Sequence, residues 1–193
     1  MDIVVENLKK IEDVLEKRED AVRWGLLSLC RIEYEFYAFA KRDHQTPSLN
    51  LTKIVDKCID FVCNGTNHSF ADDSEEIQEF AEEVNEAYEN GHETNLAIYC
   101  MRQLENLTYY LDFLNEEGKE NIETIADFIL STIAEDYLAI EFDLDLSDFA
   151  KSPIVLDEVN RIWDDFEFIK DCTNKTLWER AQSYRSLDVM NIE

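Results

Sequence analysis

The residue types whose spacing could support chemistry are carboxylates. Asp72, Asp73, Glu75, Glu76, Glu79, Glu82, Glu83, Glu86, Glu89 and Glu93 crowd into one stretch, and no Lys or Arg occurs from Cys58 to Met101. Such an array holds a metal, moves protons, or presents a negative field to a cation. Spacing tests the metal first. A ferritin-like di-iron site needs Glu-x-x-His on two helices. One such run exists, Glu89-x-x-His92, and Gly91 inside it breaks the helix. Asp143-x-Asp145-x-Ser147 opens like a calcium loop, but Asp148 stands where the loop needs glycine and Ile154 where it needs a bidentate glutamate. The EF-hand is rejected, and no cofactor is implied.

Nucleophilic chemistry finds no better footing. There is no Gly-rich phosphate loop, no nucleophile elbow and no Ser/His/Asp cluster. His44, His68 and His92 fall in expected loops and read as solvent-exposed. Cys30, Cys58, Cys63, Cys100 and Cys172 are odd in number, include no C-x-x-C, and lie in apolar-periodic stretches. They read as reduced core thiols of a cytoplasmic protein. The longest unbroken apolar run, Leu96 to Met101, is far short of a membrane helix, and the first residues carry no signal-peptide pattern. On that reading the Asn-x-Ser/Thr sequons, such as Asn50-Leu51-Thr52, carry no glycan.

What remains is the field. Forty-four acids against 18 bases give a formal charge of −26 over 193 residues. Residues 1–57 hold 11 acids and 10 bases, and residues 151–193 hold 9 and 6. The middle, 58–150, holds 24 acids with only Arg102 and Lys119. This surface repels phosphate backbones and anionic headgroups, so neither a nucleic acid nor a membrane is an expected partner. Like charges stacked on neighbouring turns cost roughly 0.2–0.5 kcal/mol per pair, energy that interspersed lysines would recover. One reading is a solvated helical face. The other is a docking surface for a strongly basic protein. Its candidate contacts are Glu75, Glu76, Glu79, Glu82, Glu83, Glu86, Glu89 and Glu93, with Asp143, Asp145 and Asp148 flanking them.

The elements that must carry these acids read as helices. The chain has 4 Gly and 2 Pro, too few for many tight turns, while 45% of its residues are apolar. A short helix is expected near residues 3–17. A long one follows, with Asp20 as N-cap and Pro47 as the stop; Val22, Leu26, Leu29, Cys30, Phe36, Tyr37 and Ala40 form its stripe. Trp24, Leu27, Tyr34 and Phe39 add a second apolar face, which places it at the centre. Ser48 is expected to cap the next helix, and Asn64-Gly65 to end it. Asp73 or Ser74 should open the acidic helix, with a thin stripe of Ile77, Phe80, Ala81, Val84 and Tyr88, and Asn90-Gly91 should close it. Leu96 to Leu114 and Ile122 to Ile140 make two more helices. Ser152-Pro153 restarts the chain as cap and first helical proline, and Thr173 or Asn174 caps the last helix. No internal repeat appears. The expectation is an all-α, single compact domain of about eight helices spanning residues 1–193.

Two stretches carry a family likeness. Cys30-x-x-x-Tyr34-x-x-Tyr37-Ala38 resembles the second helix of the YjaG-like family of bacterial all-helical proteins. Pro153-x-Val155-x-x-Glu158-x-x-x-x-Trp163-x-x-Phe166-x-x-Ile169-x-Asp171-Cys172 resembles that family's penultimate helix at the same spacings. The likeness covers roughly residues 20–62 and 150–193 and is weak in the acidic middle. It departs at Glu35, where the family tends to carry proline after the tyrosine, so a kink there is not carried over. The resemblance implies a shared helical core and transfers no catalytic residue. Trp24 and Trp163 then read as core or boundary aromatics. Glu158 reads as a dipole-favoured surface acid or as a buried partner of Arg31 or Arg161.

Helical chains of this size and acidity, without an active-site signature, are similar in kind to immunity proteins, the cytosolic antidotes to toxins delivered by neighbouring bacteria. The function expected is therefore non-enzymatic: an immunity protein whose acidic surface neutralises a basic toxin domain, a nuclease in the first instance. A housekeeping role in the YjaG-like family, or a small enzyme or carboxylate–metal protein, are the alternatives.

Overall fold

Three- and four-residue apolar spacing becomes helix throughout a computed structural model of the chain, which describes residues 3–91, 94–115, 122–130 and 149–185. The helices are α1 (Ile3–Val14), α2 (Arg18–Arg42), α3 (Leu51–Asn64), α4 (Ala71–Glu89), α5 (Asn95–Asn115), α6 (Ile122–Leu130), α7 (Pro153–Asp171) and α8 (Asn174–Arg185). Among the described residues the fold is all-α. Buried side chains from all eight helices join one contiguous core.

The long helix α2 is central, as its two apolar faces require. It packs against α3, α5, α6, α7 and α8, while α4 lies chiefly on α5 and α1 on α6. Trp24 is fully buried beneath Phe166 (ring centroids 4.7 Å) and Trp163 (5.7 Å). Further along α2, Phe36 meets Phe80 of α4 edge to face at 6.0 Å. Such ring pairs add about 0.5–1.5 kcal/mol each beyond the area they bury. Helix α2 continues through Glu35.

Several helix ends differ from expectation, some through tertiary contacts and one through a local cap. Asp20 is not the cap of α2: the helix starts at Arg18, with extended Lys17 before it and no side-chain cap bond. The Arg18 guanidinium instead reaches across to the carbonyls of Phe113 and Leu114, ties the start of α2 to the end of α5, and lies over the Phe113 ring. At its other end α2 stops at Arg42, before Pro47 is reached; His44 turns into positive φ, and the Asp43 carboxylate accepts the Leu96 N–H of α5 at 2.7 Å. Asn50, not Ser48, caps α3 by accepting the Lys53 N–H at 3.2 Å. The left-handed Gly65 that ends α3 is as expected, with φ of 69°.

Acidic helix α4 begins at Ala71, ahead of Asp73 and Ser74, because those two residues turn inward and do not cap. Asp73 is buried and paired with Lys57 of α3 at 2.6 Å, and the Ser74 hydroxyl donates to Asp112 of α5 at 3.4 Å. Ser152 and Pro153 open α7 where expected, although the serine hydroxyl makes no cap bond. Thr173 precedes α8 and accepts the Thr176 N–H through its hydroxyl at 3.2 Å. Ile133, Tyr137 and Ile140, expected in the sixth helix, lie outside the described residues.

Four cysteines are buried and Cys172 is half-buried; none is in a disulfide. Burial pushes the thiols of Cys30, Cys58, Cys63 and Cys100 up, which holds them in the unreactive protonated form.

Candidate functional site

The stripe of α4 is thin, and thinness decides what the helix shows. Ile77 and Phe80 are buried and Ala81, Val84 and Tyr88 half-buried, so one narrow face packs on the body. At 3.6 residues per turn, Glu75, Glu79, Glu82, Glu86 and Glu89 then fall within an arc of roughly 80° on the opposite side. All five are exposed and form a ridge; Glu83 is exposed on its shoulder, and Glu76 is half-buried beside it. Glu93, Asp143, Asp145 and Asp148 lie outside the described residues, as does His92.

No basic side chain pairs with these seven glutamates among the described residues. Many of the described cations are engaged elsewhere. Lys10 pairs with Glu6, Arg23 with Glu19, Arg161 with Glu158, Lys170 with Glu167, Lys175 with Glu179, and Arg185 with both Glu33 and Asp56. Lys57 does reach α4, but it meets Asp73 on the inward side. Among the described residues, intrachain pairs thus serve the two ends of the chain and leave the ridge its field.

A groove runs along each flank of the ridge. Between α4 and α5 lies one of about 530 Å³, floored by Ile77, Ala81 and Leu104 and rimmed by Glu82, Asn85 and Tyr109. On the other flank a groove of about 340 Å³ is bounded by Pro47, Ser48, Phe80, Glu83 and Val84. The Ser48 hydroxyl, free of its expected capping role, donates to Glu83 at 3.4 Å across it.

The chain matches no protein-family model, no curated protein and no solved structure.

A second charged cluster lies inside the molecule, and the sequence signalled it only through Glu158. That residue is not a surface acid. It is buried between Arg161 at 2.6 Å and Arg31 at 3.4 Å. Asp165, fully buried, accepts from Arg31, from Arg180 Nε at 2.7 Å and from the Tyr184 hydroxyl at 2.7 Å. A buried carboxylate gripped by two arginines and a tyrosine is a strut joining α2, α7 and α8. Nothing in linear spacing could reveal it, since Arg31 and Asp165 are 134 residues apart.

Glu35 borders this cluster. Burial, then the nearby Glu158 carboxylate, push its carboxyl up to about 8, against the lowering by the Tyr99 hydrogen bond, Arg31 and Arg161. The Tyr99 hydroxyl lies 2.9 Å from Glu35 Oε2 and 3.3 Å from the Ile32 carbonyl. Its single proton can serve one of them. A protonated Glu35 donating to Tyr99 leaves that proton for Ile32, so both bonds are met.

Among the described residues no three His, Cys, Asp or Glu side chains converge as a metal-binding group. His44 is exposed. His68 is not: it is half-buried near Phe70, with its Nε2 enclosed and unpartnered. Among the described residues no helix is long and apolar enough to cross a membrane.

Proposed function

We propose that this chain is a non-enzymatic binding protein whose α4 ridge docks a basic protein, and that it serves as an immunity protein covering the nucleic-acid cleft of a toxin nuclease. One observation carries the reading: the glutamates on and beside the ridge have no described basic partner, while cations on both ends of the chain are committed to acids beside them. An uncompensated field of one sign, held on a rigid helix between two grooves, favours encounter with an oppositely charged surface. A nuclease cleft is basic because it binds phosphates, so a row of carboxylates is a physical substitute for its substrate.

The test begins with co-purification of the chain and the products of its native operon. Reversing Glu82, Glu83, Glu86 and Glu89 to lysine together should abolish binding of the basic partner and restore its toxicity, with helical content unchanged. Affinity of the unmodified pair should fall as salt rises from about 50 to 500 mM, where the Debye length shrinks to roughly 4 Å. Full affinity in the reversed variant, at either salt, would end the proposal.

A further inference from the structure

Affinity in protein interfaces comes from a few desolvated anchors, and a charged ridge alone supplies none. The larger groove beside the ridge supplies the missing element. Its floor is apolar, with Ile77 and Leu104 fully buried and Ala81 half-buried. On its rim stand Glu82, exposed, and Tyr109, a residue 42% exposed although it follows the buried Thr108 and precedes the buried Tyr110. Among the described residues no lysine or arginine lines it.

These three features select one side chain. A purely apolar occupant would leave the Glu82 carboxylate desolvated without a partner. An anionic occupant is repelled, and a second copy of this chain would bring ridge against ridge. Lysine pairs with Glu82 as a point charge and has no flat face for the ring. Arginine meets all three: its aliphatic stem covers the floor, its planar guanidinium stacks on the Tyr109 ring, and its fork pairs with a carboxylate.

We propose that the α4–α5 groove is an arginine subsite, which receives an arginine from a basic segment of the partner protein between Tyr109 and Glu82. This rests on the docking reading above and names the side chain by which the partner is held. Charge complementarity with the ridge brings the segment in, and the groove then distinguishes arginine from lysine.

The test uses fluorescein-labelled nona-arginine and nona-lysine peptides, of equal charge, titrated into the full chain at about 150 mM salt. Nona-arginine should bind at least about five-fold more tightly, as a partly desolvated cation–π contact requires. Tyr109→Ala and Ala81→Phe, the first removing the ring and the second filling the groove, should each bring nona-arginine down to the level of nona-lysine. Neither should alter nona-lysine binding. Circular dichroism verifies Ala81→Phe, and Tyr109→Ala, a truncation at a part-exposed position, keeps the test decisive if the larger side chain disturbs folding. Equal affinities for the two peptides, or an arginine preference that survives both variants, would overturn the subsite while leaving the docking reading in place. Failure of both peptides to bind the unmodified chain would remove the docking reading and the subsite together.

Discussion

The phenol ring of Tyr110 lies directly against the backbone of Gly25. A Cβ placed on that glycine would sit 2.4 Å from one ring carbon and 2.8 Å from the next. The ring has no room to retreat. Its hydroxyl donates to the Val22 carbonyl at 2.8 Å, and its other face stacks on Phe128 at 4.9 Å with the planes 7° apart. Helices α2 and α5 approach this closely because residue 25 has no side chain. The site-bearing pair α4–α5 is thereby fixed to the centre of the molecule.

Gly25→Ala sets two known effects against each other. Alanine gains about 1 kcal/mol of helix propensity over glycine. Overpacking a ring held on both sides costs about 1–3 kcal/mol. The clash is severe, so the expected result is a net loss of about 1–2 kcal/mol in urea unfolding. An unchanged or raised midpoint would show that α5 can move away from α2.

Asp165→Ala removes the acceptor shared by Arg31, Arg180 and Tyr184 and leaves buried Arg31 with Glu158, at 3.4 Å, as its remaining described acidic partner. Breaking a buried pair on one side costs about 3–5 kcal/mol. Glu167→Ala, which breaks the exposed pair with Lys170 on the same helix, should cost less than about 1 kcal/mol. Equal losses from the two variants, compared by thermal unfolding, would refute the strut.

Glu35 gives the stability a pH dependence of defined sign. Its folded carboxyl titrates near 8, above the ordinary value of 4.5, because burial and Glu158 disfavour the charged form. Between those values the folded state binds the extra proton. The contribution of Glu35 is therefore greatest below about pH 4.5 and is lost as pH rises toward about 8. Glu35→Gln keeps a donor toward Tyr99 and cannot ionise. At pH 9 it should be more stable than the unmodified chain, by on the order of 2 kcal/mol, and at pH 5 nearly equal to it. A gain of the same size at both pH values would assign the effect to packing.

The ridge itself should reduce the stability of the fold. Glu79→Gln, Glu82→Gln and Glu86→Gln combined remove several like-charge pairs on adjacent turns, each worth roughly 0.2–0.5 kcal/mol. The triple variant should be more stable by about 1 kcal/mol at low salt, and the gain should shrink at about 1 M salt, where screening has already removed the repulsion. A variant that is less stable at low salt would mean the carboxylates serve the fold and not a partner.

The acidic ridge was legible before any coordinates, because a helix converts three- and four-residue spacing directly into a face. Ile77 and Phe80 had to turn inward, so Glu75, Glu79, Glu82, Glu86 and Glu89 had to turn outward. Capping residues were less legible. Asp20, Ser48 and Asp73 all have cap chemistry, yet Asn50 caps α3 in place of Ser48, and the other two ends meet longer-range partners: the carbonyls at the end of α5 for Arg18, and Lys57 for Asp73. Local propensity is worth about 1 kcal/mol at a cap, and a buried charge that finds its partner outweighs it.

By itself, then, the sequence determined the all-α class, the central place of α2 and the one-sided charge of α4, all of which follow from periodicities within single segments. Only the tertiary structure decided that the ridge meets no cation among the described residues, that grooves run beside it, that Glu158 and Asp165 are buried, and that burial raises the Glu35 carboxyl. Those properties belong to pairs such as Arg31 and Asp165, far apart in the chain. Desolvation and Coulomb energies depend on separation in space, which no local pattern encodes.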